Sequence, residues 1–111
     1  MTAHPDVAEI GALSVELLDE ARAHDARRAA RTLVTGVRQR ATLIALAGGA
    51  ELGEHDAPPA ATLYIITGQV RLHTHDAEWL LNRNHLMPVP RLRHGITALT
   101  DSVVLLTVAL G

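Results

Sequence analysis

Residues 61–75 read ATLYIITGQVRLHTH, and the alternation on either side of Thr67-Gly68 sets the fold class. Successive side chains of a strand point to opposite faces, so residues two apart share one. A tight hairpin at Thr67-Gly68 pairs Ile66 with Gln69, then Ile65 with Val70, Leu63 with Leu72 and Ala61 with Thr74. On that count Ala61, Leu63, Ile65, Val70, Leu72 and Thr74 form the inner face. Thr62, Tyr64, Ile66, Arg71, His73 and His75 form the outer one, which Tyr64 and Ile66 make partly apolar. Such a face calls for a cover: an N-terminal helix, the first strand or a second subunit.

Working outward, further strands are expected near residues 30–35, 37–47, 78–82, 86–89, 96–100 and 102–110. Gly, Pro and Asn turn signals separate them, including Gly48-Gly49, Pro58-Pro59 and Asn82-Arg83-Asn84. Short strands at near-regular spacing point to a sandwich or barrel and not to a parallel sheet with crossover helices. Ahead of them, Leu13, Leu17, Leu18 and Ala21 recur at helical spacing. A helix over 14–24 is expected, with Ser14 as its cap and Glu16, Asp19 and Glu20 in its early turns, where the dipole favours acids. Residues 1–12 read as a flexible tail, 13–111 as one domain, and the barrel begins at about residue 29.

The 111 residues are 48 % hydrophobic and 20 % charged, enough for one core. The formal charge is −2, and no basic helix or helix-turn-helix pattern occurs, so a nucleic-acid partner is not expected. With no cysteine there is no disulfide, thiolate metal site or cysteine nucleophile. Ser14 and Ser102 lie outside any Gly-x-Ser-x-Gly turn, and without lysine a phosphate-cradling P-loop cannot form. No apolar run approaches the ~20 residues that cross a bilayer, so no membrane partner is expected. The start, MTAHPDVAEIGALS, lacks a basic segment followed by a long apolar one, and the expected location is cytoplasmic.

The run GGAELGEHDAPPAATLYIITGQVRL (48–72) resembles the first motif of the cupins, and NHLMPVPRLRHGI (84–96) resembles the second. With the closing strand DSVVLLTVAL, the likeness spans roughly residues 37–110. It implies an all-β double-stranded β-helix, the cupin jelly roll, behind a short N-terminal helix. The family's first motif offers two His one residue apart, then a Glu, then a Gly. Here His55 and Gly68 are kept, while Ala57 and Ala61 stand in place of the second His and the Glu. Of the second motif Pro88, Pro90 and His94 are kept, with Asn84-His85 in place of Gly-Asp. The resemblance therefore implies a degenerate metal site with two ligands, His55 and His94. Firm first-row sites take three or four protein ligands, so a divalent ion (zinc, iron, manganese or nickel) would be loosely held.

Two readings of His55 and His94 stand side by side: partial ligands, or polar residues at a barrel mouth. Gln39 shares a strand face with Val37, Ala41, Leu43 and Ala45. It either meets a ligand inside the barrel or lies exposed between Arg38 and Arg40. Counted inward, Gln39, Ala61 and Leu63 line a small-molecule pocket with the two imidazoles. His73 and His75 fall on the outer face, His4 in the tail, His24 at a helix end and His85 beside a turn. Arg91 and Arg93 flank His94 as rim residues, and Glu51 and Glu54 cap the loop into the barrel. The expected function is binding of a small molecule, a loosely held divalent ion, or both; no catalytic residue is legible. The alternatives are a metal-dependent cupin enzyme of dioxygenase or isomerase type, and a non-catalytic regulatory or structural dimer. A homodimer is expected from the partly apolar outer face.

Overall fold

In a computed structural model the chain is described over residues 4–111, without the side chains of Glu54 and His55. One helix, α1 (Ile10–Ala23), precedes nine strands. These are β1 (Arg28–Thr35), β2 (Gln39–Leu46), β3 (Glu51–His55), β4 (Ala60–Thr67), β5 (Gln69–His73), β6 (Glu78–Asn82), β7 (Leu86–Pro88), β8 (His94–Ala98) and β9 (Ser102–Ala109). They form a five-stranded sheet in the order β1-β2-β9-β4-β7 and a four-stranded sheet in the order β3-β8-β5-β6. Every pairing is antiparallel. From β2 onward the chain passes repeatedly from one sheet to the other, which is the expected all-β jelly roll.

The inner and outer sets predicted for 61–75 hold as far as His73, where β5 ends; Thr74, expected inward, borders an outer recess instead, and the hairpin does not form. Leu63, Ile65, Val70 and Leu72 are fully buried between the sheets with Ile44, Leu46 and Ile96. Yet β4 pairs with β9 and β7, while β5 pairs with β6 and β8. Gly68 is thus a corner between sheets. Alternation reports which way a side chain faces and not which strand lies beside it. The corner is closed by the β8–β9 turn. Ser102 Oγ, fully buried, accepts from Gln69 N at 3.1 Å and lies 2.8 Å from the Thr100 carbonyl.

Two other expectations are corrected. The helix starts at Ile10, inside the stretch read as a tail, so Ser14 lies within it and not at its cap. Ser14 Oγ donates to the Ile10 carbonyl at 2.7 Å, the back-bond a serine makes inside a helix. The first turn holds no acid; Glu16 and Glu20 instead pair with Arg31 at 3.5 and 3.3 Å. The second correction is β3, a strand not foreseen. It is an edge strand with a glycine and two carboxylates in five residues, so its pattern is weak.

Leu17 and Ala21 of α1 pack on Leu43, Ala45 and Val103, and Ile66 and Leu105 join this second core. The helix therefore covers part of the outer face on which Tyr64 and Ile66 lie. Its last turn is fastened by Asp101 in the β8–β9 turn. One oxygen of that carboxylate accepts from Gly48 N at 2.7 Å; the other accepts from Arg22 Nε and Nη2 at 2.9 and 2.8 Å. The Gly48 amide, with Arg22 beside it, holds the Asp101 carboxyl below the usual 3.8. A depressed carboxylate stabilises the fold above its unfolded value and loses that contribution as pH falls through its folded value. The midpoint of thermal unfolding is therefore expected to fall on acidification below about pH 4 more steeply in the wild type than in Asp101→Asn. Parallel pH profiles for the two would remove Asp101 as the fastener.

Candidate functional site

At the end of the sandwich where the edge strands β1 and β3 face each other, a cavity of about 290 Å3 opens between the sheets. Leu52, Val89, Ile96 and Leu106 give it apolar walls; Arg28, Gly53 and His94 complete the lining. The inward alternation of β8 runs from Ala98 through Ile96 to His94, which brings an imidazole to the wall with only 3 % of its surface exposed. Its Nδ1 lies 2.8 Å from the Leu92 carbonyl. A carbonyl only accepts, so Nδ1 carries the proton of this bond. Arg28 closes the mouth. Its Nη1 donates to the Glu51 carbonyl at 2.7 Å and so ties the edge of one sheet to the edge of the other.

His55 stands opposite His94 in the ladder. The register shifts between Leu52 and His55; one extra residue in β3 sets His55, and not Glu54, across from His94. The side chains of Glu54 and His55 lie outside the described residues. Among the described residues no three His, Asp or Glu are placed to share an ion. Positions 57 and 61, where the resembled motif carries His and Glu, hold alanines with no donor atom. Among the described residues the cavity offers an ion one imidazole, that of His94, short of the three or four ligands of a firm metal centre.

The other predicted pocket residues lie elsewhere. Gln39 is exposed and shares the β2 face of Leu43 and Ala45, which meets the helix and not the barrel interior. Residues 43–46 of β2 are all buried, one face under α1 and the other against the second sheet. That erases the alternation from which facing is read. Ala61 faces inward but, with Gln39, Thr62 and Thr107, lines a separate recess of about 420 Å3. Leu63 is fully buried core and lines none of the recesses described here. The sequence does not mark Arg28 or Leu52: Arg28 falls between the expected helix (14–24) and the barrel start at about 29, and Leu52 falls in a stretch expected to be loop.

The remaining histidines act in turns or on the outer surface. His4, His24 and His85 each accept a backbone N–H through Nδ1, from Asp6, Ala26 and Asn82. His73 lies on the outer face of the four-stranded sheet, its ring over Gly95, where a Cβ would come within 2.8 Å of it. His75 is fully exposed beside Asp76. Both border an outer recess of about 530 Å3 with Arg71, Glu78 and Thr97. That hollow is larger than the interior one but polar and outward-facing, and its arginine already has Glu78 at 3.7 Å. Glu51 also borders it as part of β3, so it does not cap a loop. Arg93 pairs with Asp56 at 3.5 Å on the rim, and Arg91 is exposed.

Sequence comparison finds no match for the chain, neither a family model nor a curated protein. Comparison of structures does. A conserved protein of unknown function from Streptococcus pyogenes superposes with a TM-score of 0.75 at 19 % identity, over 99 % of this chain and 91 % of that one. An RmlC-like cupin from Desulfovibrio desulfuricans gives 0.70 at 21 %, over 98 % and 96 %. A cupin superfamily protein from Desulfitobacterium hafniense gives 0.71 at 18 %, over 76 % and 78 %. At such identities the likeness is one of fold.

Proposed function

We propose that this chain, which has the cupin fold, binds a small molecule in the cavity between its sheets, with His94 as the polar anchor. The observation that carries the reading is a buried imidazole on an otherwise largely apolar wall. A polar ring in such a place loses hydration and is retained where it has partners. Its Nδ1 partner is Leu92, and that bond fixes the ring against the cavity wall. About 290 Å3 is near the lower end of ligand cavities and equals about ten waters of liquid volume, which suits a metabolite and not a polymer. A divalent ion shared by His55 and His94, with water as the remaining ligands, is the secondary form of the same reading.

A thermal-shift panel of small acids, amides, phenols and divalent metals, followed by calorimetry on the hits, tests this. His94→Gln is expected to weaken the best organic hit by about 1–2 kcal/mol, roughly five- to thirtyfold in Kd, with little change in unfolding temperature. A panel without a single hit counts against a binding role. Near-stoichiometric iron, manganese, nickel or zinc in the purified protein would shift the reading to a metal-dependent enzyme.

A further inference from the structure

We infer that the ligand of the interior cavity carries a carboxylate, and that Arg28 holds it. This rests on the cavity being a ligand site and adds the chemical class of its occupant. The chain has a net charge of −2, yet among the described residues no Asp or Glu lines this cavity. A neighbouring cavity of about 320 Å3, which shares Arg28 and Leu52 with it, has no acid among its described lining residues either. The charged group common to both is the Arg28 guanidinium.

Arg22, Arg31 and Arg71 each have a carboxylate within 4 Å, at 2.8, 3.3 and 3.7 Å. Arg28 has none among the described residues. Its one hydrogen bond goes to the neutral Glu51 carbonyl, which positions the guanidinium without cancelling its charge. That bond uses one of five N–H donors in a rigid plane, and the two-pronged edges of that plane match a carboxylate. Leu52, Ile96 and Leu106 line the same cavity, with His94 on its wall. An acid head on the exposed arginine and an apolar body against these side chains fit that lining. A phosphate ester, with up to two negative charges, would leave charge that one guanidinium does not offset.

The test compares probes that share a body and differ in the head: benzoate, benzamide and phenyl phosphate, with hexanoate and hexanamide as a flexible pair. Affinities for the intact chain are read by ligand-detected NMR titration at neutral pH. The acids are expected to bind at least about tenfold more tightly than their amides, the range of a charge-assisted hydrogen bond. Arg28→Gln should bring the acids down to the level of the amides, leave the amides within about twofold, and be partly rescued by Arg28→Lys. Equal binding of acid and amide to the unaltered protein, or acid binding untouched by Arg28→Gln, overturns the carboxylate assignment and leaves the cavity reading standing. Tighter binding of phenyl phosphate than of benzoate also overturns it. If none of the five probes binds, both readings fall together.

Discussion

Gly68→Ala is expected to lower stability by about 2–5 kcal/mol and the thermal midpoint by more than about 10 °C. Gly68 has φ +89°, where a side chain costs about 1–2 kcal/mol. A Cβ there would also collide with Ser102 Oγ and the Asp101 carbonyl, and would lie 2.7 Å from Ser102 Cα. Two of those atoms are backbone of the β8–β9 turn, so relief requires moving the turn that closes the corner between the sheets. Gly49 supplies the control. It has the same φ of +89°, but a Cβ there meets nothing within 4 Å. Gly49→Ala should therefore cost only the conformational part, about 1 kcal/mol. Denaturant unfolding of the two variants separates the terms, and equal losses would mean that the corner is not closely packed.

Leu63→Ala is expected to cost about 3–4 kcal/mol, the usual toll of a cavity left by a fully buried leucine. Its side chain packs among Ile44, Ile65 and Leu72 and lines none of the recesses described. The same variant, under conditions where it is folded, should bind hexanoate with unchanged affinity. A loss of stability under about 1 kcal/mol, together with weakened hexanoate binding, would restore Leu63 to a pocket wall.

The sequence showed facing better than partnership. Leu63, Val70 and Leu72 were legible as inward because polar or aromatic residues flank each of them, and Ile65 follows from its spacing to Leu63. The partner of β4 was not, since β9 lies about forty residues further on and no local pattern marks it. Gln39 was misplaced because the buried run Leu43–Leu46 is apolar on both faces. Ser14 reads as a cap in the sequence because serine serves equally at a helix start and as an intrahelical back-bond. Within the site, His94 was visible through the resemblance of its motif. Arg28 was not, since a single arginine in RRAAR carries no mark of which sheet edge it will close.

The position of β9 has a consequence for how the chain acquires its shape. This last strand fills the middle of the five-stranded sheet, between β2 and β4. While a ribosome is still producing residues 102–109, both neighbours present open, hydrogen-bond-hungry flanks, and α1, although made earlier, lacks the Val103 and Leu105 on which it settles. Assembly must then wait for long-range contacts, which makes it slow and leaves the nascent protein prone to sticking to its own kind until β9 slides into place.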